Sequence, residues 1–233
     1  MRTFVARFLL CFGLTVSPLP IAWADEGGWR HEYTDEGVAV SVRDEPGRNL
    51  PVFRGVGVVD ASVYEVLAVL DDAGRHPDWM PNCVGGRVLK KNTDWDRYEY
   101  NRTHAPFPVS DRDVVVHSVV TANVEKKEVW ARFQSAALAG HGPIDGVVRM
   151  PRLRGFYHLE ALDDRRTRVT YQIDADPGGM LPDWLAKMAS RRLPMNALLG
   201  LRRQVGKMRG KYEAFLTKYD PARGGAIPAE VLK

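Results

Sequence analysis

A turn rich in proline and glycine, Asp176-Pro177-Gly178-Gly179-Met180-Leu181-Pro182-Asp183-Trp184, divides this chain into two regions of different hydrophobic period. Before it, apolar residues recur mostly at every second position, as in strands. After it they recur every third or fourth position, as on one long helix. A helix of that length needs a broad apolar surface to cover, and a curved antiparallel sheet supplies one. The expected class is therefore α+β: a curved antiparallel β-sheet wrapped around a long C-terminal helix, with an internal apolar tunnel. Enclosed space of this kind suits an apolar ligand oriented by a few polar groups.

The N-terminus reads as a secretory signal peptide over residues 1–24. Arg2 and Arg7 form the basic start, Phe8–Val16 the apolar run, and Ala22-Trp23-Ala24 the small-x-small pattern before a cut. The competing reading is an uncleaved anchor, against which stand the short run and the interruptions at Pro18 and Pro20. Cys11 lacks the small preceding residue of a lipoprotein site. The expected location is secreted, in the periplasm. The chain has 33 basic and 29 acidic residues. Without Arg2 and Arg7 it is near neutral, which does not suit a nucleic-acid binder. The mature length fits one domain, residues 25–220, with a tail over 221–233 expected to be disordered. Once Cys11 is removed, Cys83 has no disulfide partner, and a buried, inert thiol is favoured over a catalytic one.

Val38–Val42 and Thr167–Ala175 alternate most clearly, the latter with Val169, Tyr171 and Ile173 on one face. Further strands are expected over Val52–Val59, Val84–Lys90, Arg97–Arg102, Asp113–Val124, Val129–Ala137 and Val147–Leu162, the last with a break at Pro151. One early helix interrupts them. Ser62 and Glu65 form a capping box, followed by Val63, Val66, Leu67 and Leu70 at helical spacing. The loop His76-Pro77-Asp78-Trp79-Met80-Pro81 is expected to plug the core with Trp79. At the C-terminus the pattern predicts a short helical piece over Asp183–Arg192, a break at Pro194, and an unbroken helix from Met195 to Tyr219. Its apolar face carries Leu198, Leu201, Val205, Met208, Tyr212, Phe215 and Tyr219.

Three segments, in this order and spacing, resemble the StAR-related lipid-transfer (START) family. They are Pro106-Phe-Pro-Val-Ser-Asp-Arg-Asp113, Gly146-Val-Val-Arg149 and Gly179-x-Leu-Pro-x-Trp-Leu185. The resemblance covers residues 29–219. It implies a helix-grip fold whose tunnel holds one sterol, phospholipid, ceramide or other apolar molecule, with no cofactor. It also implies a gate formed by the loop 174–182, with Pro177, Gly178, Gly179 and Leu181, and by the helix after it. The partners expected are a lipid or other apolar small molecule and a transient membrane contact, with the protein a monomer. Two features depart from the family. The N-terminal helix is short or missing, and the second basic residue of steroid-carrying members, six positions after Arg112, is here Ser118.

The residues expected to meet ligand are Arg112, Trp79, Tyr171, Trp184, Leu185, Met188, Leu198 and Met208. Arg112 has a second reading, in which a flanking carboxylate ties it down between loop and sheet. Arg149, Arg152 and Arg154 read as a solvated sheet face or as a phosphate-recognising cluster. The six histidines show no metal-ligand spacing, so no metal is expected. An alternative function on the same fold is a polyketide cyclase or aromatase, for which Arg112, His117, His158 and Tyr171 are the acid–base candidates. A third is a sensor or partner-binding module.

Overall fold

The computed structural model describes residues 27–48, 50–179 and 191–232. The expected signal segment and most of the expected helical piece 183–192 lie outside that range. The elements run β1 (Arg30–Asp35), β2 (Val38–Arg43), β3 (Val52–Val59), α1 (Val63–Asp71), β4 (Cys83–Lys91), β5 (Asp96–Thr103), β6 (Arg112–Asn123), β7 (Glu128–Ser135), β8 (Val148–Arg149), β9 (Arg152–Asp163), β10 (Arg166–Asp176), α2 (Leu193–Met208) and α3 (Glu213–Tyr219). The long strands form one open sheet in the order β1-β2-β3-β10-β9-β7-β6-β5-β4, every neighbour antiparallel. The two-residue β8 adds to β6 in parallel.

Strand period decides what faces the core. On β2 the alternating Val38, Val40 and Val42 are buried, and on β10 so are Thr167, Val169, Tyr171 and Ile173. Each such aliphatic side chain contributes roughly 1.5–3 kcal/mol on burial. Helix α2 lies across β2, β3 and β10 and against α1. No described helix is long and apolar enough to cross a membrane.

The capping box of α1 forms as expected. The Glu65 N–H donates to the Ser62 hydroxyl at 3.2 Å, and the Ser62 N–H donates to the Glu65 carboxylate at 2.9 Å. Trp79 is buried, with His76 edge-on at 5.7 Å between ring centroids. The His76 ring is fixed by the Leu70 carbonyl (3.2 Å) and the Asn101 amide (3.1 Å). Helix α2 passes so close to this loop that a Cβ at Gly200 would stand 2.1 Å from the Trp79 carbonyl oxygen. Only glycine fits there.

The structure corrects two expectations at the C-terminus. The helix expected from Met195 to Tyr219 is two helices, because α2 stops at Met208 and Gly210 takes φ +75 before α3 begins. That left-handed conformation ends helices readily at glycine. The helical stretch is interrupted at Arg192, so Pro194 marks the break expected there. It lies at the first turn of α2, where its missing N–H has no partner to lose. The tail expected to be disordered from 221 onward is ordered through 232. It forms 3-10 turns at Pro221–Arg223 and Ala229–Val231 and buries Val231. Leu232 bridges to Ala122 of β6, and Ile227 packs on the core. These few apolar residues anchor it without any periodic pattern. At the other end, β1 extends the sheet. The Tyr33 hydroxyl donates to the Arg191 carbonyl at 3.0 Å, and the Trp29 ring lies under the Arg54 guanidinium at 3.8 Å.

Candidate functional site

A cavity of about 300 Å3 lies between α1, α2 and the inner faces of β5, β6, β9 and β10. Its walls differ in polarity. One side is apolar: Leu67 and Leu70 from α1, Leu153 and Tyr157 from β9, and Tyr171 and Ile173 from β10. Tyr157 and Tyr171 stack with ring centroids 4.4 Å apart. Burial pushes both hydroxyls well above their ordinary value of 10.0, so both stay neutral.

The opposite wall is β5. Its pairing with β6 sets Arg97 across from Ser118, Glu99 from Val116, Asn101 from Val114 and Thr103 from Arg112. Those four β5 side chains line the cavity, while Tyr98, Tyr100 and Arg102 alternate to the other face. The usual apolar-in, polar-out order is thus inverted on this strand. At one end Arg97 and Glu99 are buried, the Arg97 Nε donating to Glu99 at 2.5 Å and its Nη1 donating to Asp71. Burial strips hydration from Arg97, yet Glu99 and Asp71 hold its proton more firmly than usual. Burial pushes the Asp71 carboxyl up, against the pull of Arg97.

Arg112 occupies the other end. It is 6 % exposed and lines the cavity. Its Nη1 donates to the Ser110 carbonyl at 2.5 Å and its Nη2 to the Gly178 carbonyl at 3.5 Å, and its buried Nε has no partner. The flanking carboxylates are engaged elsewhere. Asp111 accepts from Arg102 (2.8 Å), and Asp113 accepts from both the Nε and Nη2 of Arg149 (2.7 and 3.1 Å). Neighbours on a strand face opposite ways, so the reading in which a flanking carboxylate ties Arg112 down is not what forms. Among the described residues no carboxylate pairs with it. Burial lowers its affinity for its proton, and the nearby Asp111 charge opposes that shift.

Of the residues expected to meet ligand, Arg112, Trp79 and Tyr171 line the cavity, and Pro177 lines it beside the turn. Gly178 and Gly179 form that turn with φ +63 and +66. Leu198 and Met208 do not line it. They are buried in the core, Leu198 beside Gly55 of β3, because α2 turns Leu193 and Ala197 to the cavity instead. Leu181, Trp184, Leu185 and Met188 lie outside the described residues. Arg152 and Arg154 share the outer sheet face as their spacing implies, and with Arg48 they surround Asp174. Arg149 serves Asp113 instead. Of the acid–base candidates, His117 and His158 also lie on the outer face, bonded to Asp96 (2.7 Å) and Glu128 (2.9 Å).

A sequence profile of the START domain matches residues 22–209. The chain belongs to the START family. An uncharacterised protein of Pseudomonas aeruginosa is 31% identical over 179 residues, covering 77% of this chain and 87% of its own. The crystal structure of a STAR-related lipid transfer protein from Xanthomonas axonopodis is 34% identical with a TM-score of 0.70, over 77% of this chain and 99% of that one. Human StAR-related lipid transfer protein 5 shares the fold at 22% identity, with a TM-score of 0.72 over 80% and 90% of the two chains. The sheet and C-terminal helix are the helix grip of this family. Ser118 stands six positions after Arg112, and its hydroxyl reaches Glu99 at 3.5 Å. The base that pairs with Glu99 is Arg97, two residues away on the same strand.

Proposed function

We propose that this START domain holds one lipid or other apolar molecule in the internal cavity and carries it between membranes from the periplasm. The observation that carries the reading is the two-sided cavity, with an apolar wall on β9, β10 and α1 facing the polar ladder Arg97, Glu99, Asn101 and Thr103. Burial of a hydrocarbon tail supplies affinity at ~25 cal/mol per Å2. The ladder sets orientation, since a polar ligand group that left these side chains unpaired would lose more than it gained. The family membership and the lipid transfer protein from Xanthomonas axonopodis support the same reading. The turn at Pro177, Gly178 and Gly179, with the segment through Leu181, serves as the gate. Contact with the membrane is transient and the protein acts as a monomer.

Native mass spectrometry of residues 25–233, before and after incubation with liposomes, tests this. One lipid per chain is the expected result. A protein that stays empty in both states would sink the carrier reading.

A further inference from the structure

Arg112 is a buried charge on the cavity wall, and among the described residues no carboxylate side chain forms an ion pair with it. At the far end of the same wall, Arg97 is flanked by two carboxylates, Glu99 and Asp71. Thr103, the β5 residue opposite Arg112, lies six positions from Arg97, which separates the two ends by about 20 Å at strand rise. The cavity is therefore electrically polar along its length, with a net negative cluster at the Arg97 end and a positive end at Arg112. A buried guanidinium with an unpartnered Nε and one long 3.5 Å contact retains capacity for an acceptor. Its fork geometry suits the paired oxygens of an oxyacid.

Building on the carrier reading, we infer that the ligand is an anionic amphiphile whose carboxylate or phosphate head meets Arg112 at the turn formed by residues 177–179, with its tail along the wall of Tyr157, Tyr171 and Ile173. The acidic end repels the head, so the orientation follows from both ends at once. The Gly178 carbonyl now shares the Nη2 of Arg112 with the head, so the ligand meets the gate turn directly.

Two pairs of probes differ in head charge: palmitate with methyl palmitate, and dioleoylphosphatidic acid with dioleoylglycerol. Dissociation constants for delipidated protein are read by displacement of a fluorescent probe. The expected result is at least a tenfold preference for the anion in one pair or both, and the pair that shows it names the head. Arg112→Gln should abolish the preference and Arg112→Lys should keep part of it. Equal affinities within both pairs would overturn the inference while leaving the carrier reading intact. So would an undiminished preference in an Arg112→Gln protein that melts like wild type. Should that variant not fold, the wild-type ratios decide. Failure of all four probes to bind would overturn the inference, and the native mass spectrometry then decides the carrier reading separately.

Discussion

Asp111, Arg112 and Asp113 are consecutive, yet Arg112 faces the cavity while its neighbours engage Arg102 and Arg149. Strand alternation alone produces that separation, and it makes a buried positive end from a sequence that looks balanced. A second residue-scale feature is Asp94, which accepts from Lys218 at 2.8 Å and from the Tyr219 hydroxyl. The Lys218 bond, then the Tyr219 bond, lower its pKa from 3.8 to about 2. A depressed folded pKa contributes stability above the unfolded value and loses it as pH falls through the folded one. Thermal melts should therefore show a loss between pH 3.8 and about 2 that Asp94→Asn reduces. The group is partly exposed, so salt should shrink the effect. Identical pH slopes in both proteins would remove this link between the β4–β5 hairpin and α3. The polar ladder of β5 shows what residues do and do not reveal. The alternation of Arg97, Glu99, Asn101 and Thr103 with two tyrosines is visible in the sequence. Which set faces inward depends on register with β6, a contact that the strand's own residues do not encode.

At the element scale, the capping box of α1 and the alternation of β2 and β10 were legible because their signals are local. The C-terminal helix was legible as apolar and amphipathic, but not its break. Gly210 sits within a run of apolar residues at unbroken helical spacing, and only its positive φ in the fold marks the stop. Leu198 and Met208 lie on the apolar face as read. That face meets β3 as well as the cavity, so periodicity could not divide core from lining. The turn after β10 carries its own prediction. Gly178 and Gly179 both hold left-handed φ, where a residue with a Cβ costs roughly 1–2 kcal/mol. Replacing both by alanine should slow lipid exchange with vesicles more than it weakens equilibrium binding. Exchange as fast as wild type would rule out this turn as the gate.

The whole molecule couples cavity to stability. A ligand held only by the folded state at a hundredfold its dissociation constant adds about 2.7 kcal/mol. Urea titration with saturating lipid should raise the midpoint and leave the slope unchanged. A midpoint left in place would mean that the lipid does not prefer the native state to the unfolded chain, which a site built by the folded cavity requires. The sheet's strand order has a different kind of consequence. Strands β4 to β7 pair in sequence as hairpins, β9 follows onto β7, and β10 turns back on β9. Within the sheet, the first three strands join the others through β3 on β10, from Val59 opposite Thr167 to Phe53 opposite Ile173, across more than one hundred residues. Loop closure over such a span is slow, and hairpins outrun it. In a chain made from its N-terminus, β1, β2 and β3 must wait as an unfinished sheet until β10 has emerged. Closure of the sheet is thus timed by β10, and the first three strands stay unjoined to the others until that strand is available.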